Sequence, residues 1–544
     1  MEILNLSLPA ANRFATGYLE GDAEIQSFFH YNYQMDSDYK TRLEELSTRK
    51  FYRQEIAQHI EHFMSRFPSS DQVMKNIEKL KLKNSVAVIG GQQAGLLTGP
   101  LYSVHKVISI IKLAEQKEQE LGVPVVPVFW IAGEDHDYQE VNHVYALRND
   151  KPEKILYPEK NLQKCMISDT MLNREKCLSW VEDIIESFGE THYTNSIREF
   201  TKKALDVSET FVDFFAMIIM EMFKDHGLLI IDSGDRELRR YESEFFIKQL
   251  NQHAEITIKV KNQQQIISKA GFKPAIDIGE DAANLFYTDP ITNERVLLQY
   301  EPINGVFFGK NGEVSLTKDE LLTIATEFPE RLSNNVVTRP LMQEWLFPTI
   351  AFIGGPGEIA YWAELKTVFE HFNMKMPPLV PRLNITILDR SIETDLDELD
   401  LDLQEVLEHG TNQHELKFID SMKDRELEDL LNEAKNQLKT QYELIRSKSA
   451  HVDKALLPLV EKNEKIILKQ IEFMEKKVYE SVCRKHDHVL KKFSRVENAL
   501  RPNGSPQERL WNPFYYLNKH GIDFFSAVLT LSFKFDGTHK VIKV

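Results

Sequence analysis

The sequence predicts an α/β protein with a parallel-sheet core and an additional α-helical, antiparallel coiled-coil domain. Three observations support this fold class. Short β-branched runs without polar alternation recur between residues 85 and 388, as in strands that are buried on both faces. Helical patterns follow some of these runs, which is typical of βαβ units. Later in the chain, apolar residues recur every three or four positions in long, otherwise charged segments.

The predicted strands of the sheet come from distant parts of the chain. The run SVAVIGG begins at Ser85 and leads through a glycine-rich loop into a helical pattern over 101–115. Such unbroken apolar runs favour parallel strands joined by crossover helices. The other predicted strands span 123–133, 227–232, 349–355 and 378–382.

Shifts in composition predict the domain organisation. The predicted divisions are an N-terminal helical part of the core at 1–84, a core at 85–388, an acidic linker with a coiled-coil hairpin at 389–500, and a C-terminal segment at 501–544 that packs back on the core or the coiled coil. Two inserts interrupt the core, a mostly helical one at about 140–225 and one at about 250–335 with strand-like runs at 284–288, 295–300 and 305–308. In the second insert, Thr317 and Glu320 have the spacing of a helix capping box.

The composition excludes several classes of protein. Among 544 residues, 42% are hydrophobic and 27% charged, which is the profile of a globular protein with sizeable cores. The formal net charge of −17 argues against nucleic-acid and anionic-membrane partners. Three cysteines without a CxxC pair indicate a reducing compartment, and neither a secretory signal nor an apolar run long enough for a bilayer is recognisable. We therefore expect a soluble cytoplasmic protein.

The first candidate site is the loop GGQQAGLLTGP at 90–100. Ligands of open α/β sheets bind at the carboxyl ends of strands, near helix N-termini. Gly90 and Gly95 have the glycine spacing of a P-loop, but two leucines replace its Lys-Ser/Thr pair, so a standard P-loop is rejected. Thr98 is predicted to cap the next helix and Pro100 to be its first residue. The alternative is that the glycines serve only tight packing.

The helix after this loop carries three polar side chains on one side. Tyr102, His105 and Lys106 fall away from the apolar face, so we expect them near the mouth of a site. The alternative for His105 is a partly buried, hydrogen-bonded residue without a chemical role.

The second candidate site is WIAGEDHD at 130–137, after the second predicted strand. Glu134, Asp135 and His136 have the chemistry to act as acid/base groups, to hold an amine or to bind a metal. A catalytic zinc site is disfavoured because the sequence has neither HExxH nor a cysteine set. The alternative is a solvated acidic helix cap.

The third candidate site combines Arg339 with the loop after the fourth predicted strand. Glycines such as Gly354 and Gly355 let a ligand approach the backbone, and Glu358 and Tyr361 follow in a helical pattern. A guanidinium can bind a carboxylate or phosphate through two hydrogen bonds. The alternative for Arg339 is an ordinary ion pair.

The fourth candidate site lies in the Pro-, Asn- and aromatic-rich tail. A turn with free N–H groups, arginines and an indole could hold an adenine nucleotide. The candidate nucleotide-binding residues are Arg501, Asn503, Gly504, Ser505, Gln507, Arg509 and Trp511. The alternative is a packed return from the helical hairpin.

Four segments together resemble one family, the bacillithiol biosynthesis cysteine-adding enzymes. They are GGQQAGLLTGPLYSVHK, FWIAGEDHDYQEVNH, GGPGEIAYWAEL and RPNGSPQERLWNPFYYLNKHG. The resemblance implies a Rossmann-like core similar to that of class I aminoacyl-tRNA synthetases, with connecting-peptide inserts and a coiled coil that forms a homodimer. It also implies a cysteine ligase that forms an amide between cysteine and the amine of glucosaminyl malate, the last step of bacillithiol synthesis. The HIGH and KMSKS-like motifs of the synthetases are absent.

This resemblance implies roles for the candidate residues. The expected catalytic residues are His105, Lys106, Glu134, Asp135 and His136. The expected substrate-binding residues are Gln92, Gln93, Thr98, Gly99, Tyr102, Trp130, Arg339, Gly354, Gly355, Glu358 and Tyr361. ATP or another adenine nucleotide is the expected cofactor, because a free carboxylate must be activated before an amine can displace its oxygen. No metal is expected except Mg²⁺ accompanying the nucleotide.

Two other functions are compatible with the residues. One is a metabolite-binding scaffold that recruits pathway enzymes through the coiled coil without its own catalysis. The other is a nucleotidyltransferase-like enzyme that activates the carboxylate of a different substrate.

Overall fold

The computed structural model describes residues 1–160, 163–309, 312 and 314–544. The chain forms two compact units. The larger unit comprises Met1–Ile387 and Gln507–Val544, and the smaller unit comprises Leu388–Pro506.

The larger unit is built on a five-stranded sheet in which all neighbouring strands are parallel. The strands are β1 (Val86–Gln92), β2 (Val125–Ile131), β3 (Leu229–Asp232), β4 (Thr349–Gly354) and β5 (Leu379–Pro381). Their order in the sheet is β5-β4-β1-β2-β3. The five predicted strands are therefore confirmed, and the chain reverses its direction of winding between β1 and β4. In open α/β sheets this reversal opens a crevice at the carboxyl ends of the strands.

Helix α1 (Leu101–Leu121) crosses over from β1 to β2 and ends at Gly122, whose φ of 66° is in the left-handed region. The prediction of its start was wrong: Pro100 is the N-cap rather than the first helical residue, and Thr98 does not cap it. A distant residue substitutes for a local cap, because the carbonyl of Trp511 accepts the backbone N–H of Leu101 at 2.8 Å. The side-chain amide of Asn512 donates to the carbonyls of Leu97 and Gly99 and so holds the loop before the helix.

The N-terminal region is mainly helical, as predicted, but its first element is a strand. Glu2–Leu6 pairs with His539–Lys543 in an antiparallel register, and Ile385–Leu388 completes that sheet. No local sequence pattern indicates this strand, because the strand with which it pairs lies at the other end of the chain. The helices of this region are Arg13–Glu20, Ala23–Gln26, Asp36–Ser47, Arg53–Met64 and Asp71–Leu80.

The first insert contains a β-hairpin that the sequence analysis missed. Its strands, His143–Arg148 and Lys151–Leu156, are joined by Asn149 and Asp150, both with positive φ. Asn and Asp tolerate this conformation, which two-residue hairpin turns require. The helical elements around it are Tyr138–Val141, Ile167–Asp169, Arg174–Ser187, Thr194–Asp206, Phe211–Phe223 and Lys224–His226.

The second insert contains a five-stranded antiparallel sheet, and its three predicted strands are confirmed. In sheet order the strands are Ser315–Thr317, Val306–Gly309, Arg295–Glu301, Ala282–Thr288 and Leu332–Asn334. Thr317 and Glu320 form the predicted capping box of helix Lys318–Glu327. The other helical elements around this sheet are Arg239–Asn251, His253–Lys269 and Pro329–Arg331.

The remaining short helical elements of the larger unit surround the sheet. They are Leu96–Thr98, Arg339–Leu346, Pro356–Trp362, Ala363–Leu365, Lys366–His371, Gln507–Leu510, Pro513–His520 and Phe524–Leu529.

The smaller unit is helical, and its two longest helices, Arg425–Val452 and Leu457–Lys485, form the predicted antiparallel coiled coil. Their direction follows from the ion pairs of Lys435 with Glu475 and of Arg446 with Glu464, because residues early in the first helix meet residues late in the second. The other elements of this unit are Arg390–Glu398, Leu403–His409, Asn412–Ser421, Lys454–Leu456, Asp487–Leu500 and Pro502–Gly504. In the described part of the chain, no helix combines the length and apolarity needed to cross a membrane.

Candidate active site

A cavity of about 550 Å³ lies where β1, β2, β4 and β5 end, at the reversal of winding between β1 and β4. Its wall contains many of the residues predicted from the sequence. These are Gln92, Gln93, Tyr102, Lys106, Trp130, Asp135, Arg339, Gly355, Glu358, Tyr361 and Arg509. Four separate segments of the sequence therefore meet at one site.

Some other wall residues lie within the candidate segments without having been assigned a role. They are Gly91, Ala132, Pro340, Pro356 and Gly357. The sequence analysis missed the rest, which are Glu140, Val336, Gln343, Phe352 and Arg382. Arg382 had a recognisable signal, because it is the last residue of the strand predicted at 378–382, and ligands of such sheets bind at strand ends. Gly91 is a close-approach position, since a Cβ there would lie 2.7 Å from the carbonyl oxygen of Trp130.

Lys106 connects two strand ends inside the cavity wall. Its Nζ donates to the carbonyl of Gly91 at 2.7 Å and forms an ion pair with Oε2 of Glu358 at 2.5 Å. The same oxygen of Glu358 accepts the backbone N–H of Gly355 at 2.7 Å, at the start of helix Pro356–Trp362. Burial lowers the pKa of Lys106, whereas the charge of Glu358 opposes this change. Lys106 thus brings a positive charge into the cavity and couples the loops after β1 and β4.

Asp135 is the half-buried carboxylate on the β2 side of the cavity. Its Oδ2 accepts from Nε2 of Gln93 at 3.1 Å, and its Oδ1 accepts the backbone N–H of His136 at 2.7 Å. Burial alone would raise the pKa of Asp135, but the charges of Arg339 and Arg295 outweigh it and the pKa is lowered. Asp135 is therefore ionised at neutral pH and suited to binding a cation such as an ammonium group.

Glu134 lies behind the cavity and not in its wall, in contrast to the prediction. Its Oε1 accepts from Nε of Arg339 at 2.6 Å, and its Oε2 accepts from Nη2 of Arg239 at 2.9 Å and from the N–H of Asn334 at 3.2 Å. Burial would raise the pKa of Glu134, but the arginines lower it. Both oxygens are occupied, so Glu134 holds arginines in place rather than facing a substrate.

His136 also lies outside the cavity wall. Its Nδ1 lies 3.1 Å from Nη1 of Arg295, whose guanidinium stacks 3.6 Å from the centre of the Phe286 ring. Burial and the charge of Arg295 lower the pKa of His136, so the imidazole is neutral, and it packs against Arg295 and Phe286 of the second insert.

His105 is buried one helical turn from Tyr102 and does not reach the cavity wall. Its Nδ1 lies 3.1 Å from Oε2 of Glu508, whose carboxylate also binds Nη1 and Nη2 of Arg382 at 2.9 and 2.6 Å. Burial lowers the pKa of His105, with Glu508 opposing it. The prediction that His105 lies near the mouth was wrong, because a buried carboxylate from the tail draws the imidazole inward.

Three predicted loop residues are structural. Thr98 is fully buried with φ of 68°, and the carbonyl of Gly99 is bound by Asn512. Gly354 is buried at the end of β4, where a Cβ would lie 3.2 Å from a methyl carbon of Leu379. None of the three belongs to the cavity wall.

The predicted nucleotide-binding residues of the tail are divided between the two units. Arg501, Asn503, Gly504 and Ser505 belong to the smaller unit, and Gln507, Arg509 and Trp511 to the larger one. The amide of Gln507 is bound to both backbone groups of Ile387, at 2.8 and 2.9 Å. The Trp511 ring is 3% exposed and stacks on Tyr515. An adenine ring could not stack there, so only Arg509 of the larger unit's three residues reaches a cavity.

Trp130 supplies an unused donor in the wall. Its side chain is 1% exposed, and its Nε1 has no hydrogen-bond partner among the residues that the structure describes. Tyr361 also lines the cavity, and burial raises its pKa, so its hydroxyl stays protonated. Within the described ranges, no three His, Cys, Asp or Glu side chains are grouped to hold a metal ion.

Fold and cavity together define an α/β protein with a polar cavity at the switch point of a parallel sheet. The wall carries cations, Lys106, Arg339, Arg382 and Arg509, and acids, Asp135, Glu140 and Glu358. Such a wall suits ligands that carry both carboxylates and amines.

Comparison with known proteins identifies the family. Residues 1–383 match the family model of the N-terminal Rossmann-like domain of bacillithiol biosynthesis BshC, and residues 385–544 match that of its C-terminal coiled-coil domain. Relatives named "Putative cysteine ligase BshC" are 44% identical in Geobacillus sp. (strain WCH70), 44% in Geobacillus thermodenitrificans and 43% in Bacillus cytotoxicus, each over the full length of both chains. The chain belongs to the BshC family of bacillithiol biosynthesis, and the resemblance predicted from its sequence is confirmed.

Proposed function

We propose that this protein is a cysteine ligase that joins the carboxyl group of cysteine to the amine of glucosaminyl malate. The observation that carries the proposal is the cavity at the switch point, in which groups of both charges line one space of about 550 Å³. Both substrates carry an amine and at least one carboxylate, so they need such a mixed wall. The full-length similarity to relatives named cysteine ligase supports the same reaction.

In this proposal the two sides of the cavity have different tasks. Asp135, held by Gln93, binds the ammonium form of the amine, orients it and accepts its proton, so that the neutral amine can attack. Lys106 and Arg339 stabilise negative charge that develops on the carboxyl oxygen of cysteine when the amine attacks. Tyr102 and Trp130 restrict the substrates to one arrangement, which brings the reacting atoms together.

The reaction also needs an activated carboxyl group, because an amine does not displace oxide from a free carboxylate. An adenine nucleotide would supply this activation by transferring an adenylyl or phosphoryl group, which leaves when the amide bond forms. The tail residues predicted for the nucleotide do not fit it as a set, since Gln507 and Trp511 are bound to their own chain. No step is therefore assigned to the tail.

The test is to incubate the purified protein with cysteine, glucosaminyl malate and ATP and to detect the amide product by mass spectrometry. Release of AMP or of ADP distinguishes adenylyl from phosphoryl transfer. An Asp135→Asn variant with unchanged thermal stability should lose most of the product. Absence of product with every nucleotide, and with cysteine supplied as a preactivated ester, would contradict the ligase and favour the scaffold function.

We further propose that two copies associate through the coiled coil. Its helices expose large apolar side chains, and these would be covered in a dimer. They are Leu430, Leu444, Ile445, Leu459, Ile466, Phe473, Met474 and Tyr479. The proposed location is the cytoplasm, where free cysteine stays reduced, as do the protein's own unpaired Cys165, Cys177 and Cys483.

A further inference from the structure

The short segment from Gln507 to Asn512 is anchored to the core at four points. The Gln507 amide binds the backbone of Ile387, and the Glu508 carboxylate binds Arg382 and His105. The carbonyl of Trp511 accepts the backbone N–H of Leu101 at 2.8 Å, at the start of α1. The Asn512 side chain binds the carbonyls of Leu97 and Gly99. These anchors fix the backbone of the segment on the core.

Arg509 is the one exposed residue of the segment from Gln507 to Asn512, and its side chain lines the cavity. It lines the cavity together with Tyr102 and Arg382. Arg382 lies 5.8 Å from the centre of the Tyr102 ring. The charges of Glu140, Arg382 and Arg509 all act on the Tyr102 hydroxyl, and all three side chains line the cavity with it.

The charge balance in this corner leaves Arg509 available for a ligand. Both oxygens of Glu508 bind Arg382 and neutralise it. The Arg509 guanidinium makes no ion pair with any residue that the structure describes. The single positive charge of the Arg509 guanidinium is balanced by one carboxylate. The phosphates of a nucleotide carry several negative charges and need more cations.

We propose that Arg509 binds a malyl carboxylate of the acceptor substrate and that Glu508 is the positioning residue that holds this corner of the cavity in place. The inference rests on the proposed function and adds to it, because it assigns the acceptor's acidic end to the tail side of the cavity. The amine of the acceptor would then point across Tyr102 towards Asp135.

The experiment measures binding of glucosaminyl malate, of methyl glucosaminide and of ATP by isothermal titration calorimetry. The KM values for the acceptor and for cysteine are measured from the rate of product formation. Methyl glucosaminide lacks the malyl carboxylates. The variants are Arg509→Gln, Glu508→Gln, Glu508→Asp and, as a matched control, Asp395→Asn. Asp395 accepts two hydrogen bonds of 2.8 and 2.9 Å from Arg495 in the smaller unit. Its substitution therefore breaks a carboxylate–guanidinium pair, as Glu508→Gln does, but away from the cavity.

Arg509→Gln should raise the Kd for glucosaminyl malate about 10- to 100-fold and remove the preference over methyl glucosaminide. Glu508→Gln should raise the KM for the acceptor at least tenfold while leaving the KM for cysteine within about twofold, with partial rescue by Glu508→Asp. Asp395→Asn should change neither the Kd for glucosaminyl malate nor the KM values for the acceptor and cysteine. Because Arg509 is exposed, its substitution tests the proposal even where Glu508→Gln impairs folding.

Three results would overturn the inference. Unchanged acceptor binding by Arg509→Gln would remove Arg509 from the site. A selective loss of ATP binding in that variant would make its ligand a phosphate rather than a carboxylate. An equal rise of both KM values in Glu508→Gln would reduce Glu508 to a structural role. A wild-type protein that does not bind glucosaminyl malate would instead overturn the proposed function itself.

Discussion

Glu134 and Asp135 are consecutive in the chain, yet they face opposite sides of the cavity wall. The Glu134 carboxylate is turned inward to Arg339 and Arg239, whereas Asp135 faces the cavity. One carboxylate therefore organises the arginines, and the next one is available to a ligand.

Glu134→Gln should destabilise the fold by about 3 kcal/mol, because it removes the carboxylate that pairs with Arg339 and one of the two carboxylates, with Glu242, that pair with the buried Arg239. Urea unfolding measures the effect. The matched control is Glu182→Gln, which breaks an ion pair with Arg198 on the surface. It should cost less than about 1 kcal/mol. Equal losses in the two variants would show that Glu134 does not organise the arginine cluster.

His105 makes stability depend on pH. Because the pKa of His105 is lowered in the folded protein from its ordinary value of 6.5, its contribution is present above pH 6.5. It is lost as the pH falls towards the folded pKa, since the unfolded chain then binds a proton that the folded one does not. His105→Asn should reduce the slope of unfolding free energy against pH below 6.5 by up to about 1.4 kcal/mol per pH unit.

Urea unfolding at pH 7.5, 6.5 and 5.5 checks this slope. The same substitution at the exposed His192 is the control and should leave the slope as in the wild type. A slope that is unchanged in His105→Asn would mean that the buried imidazole takes up its proton in the folded state.

Lys106→Met should lower kcat/KM about 100- to 1,000-fold, because it removes a buried positive charge next to the reacting carboxyl group. Product formation followed by mass spectrometry gives the rate. Lys112→Met, on the same helix, removes a half-buried lysine that pairs with the exposed Glu115 outside the cavity and should leave the rate within about twofold. Wild-type activity in Lys106→Met would exclude Lys106 from the reaction.

Phe473→Glu combined with Met474→Glu should convert the proposed dimer into a monomer, because each puts a charge on an exposed apolar position of the coiled coil. Light scattering after gel filtration measures the mass. Lys469→Glu, also exposed on that helix, is the control. A wild-type protein that stays monomeric at all concentrations would contradict the dimer.

Most of the architecture could be predicted from the sequence because it depends on local patterns. Unbroken apolar runs identified all five strands of the parallel sheet, and three-four periodicity identified the two helices of the coiled coil. The hairpin of the first insert was not predicted, because its turn consists of Asn149 and Asp150 and lacks the glycine that usually marks such turns. The strand Glu2–Leu6 escaped because its partner is His539–Lys543.

The candidate site was only partly predictable. The sequence by itself determined which loops end at the edge of the sheet, and with them Gln93, Lys106 and Asp135. The sequence could not decide which of two neighbouring polar residues faces the cavity, as with His105 and Lys106 or with Glu134 and Asp135. Only the tertiary structure turned His105 and Glu134 inward, because their partners, Glu508 and Arg239, come from distant parts of the chain. A buried charge requires its counter-charge, and that requirement is satisfied in three dimensions rather than along the sequence.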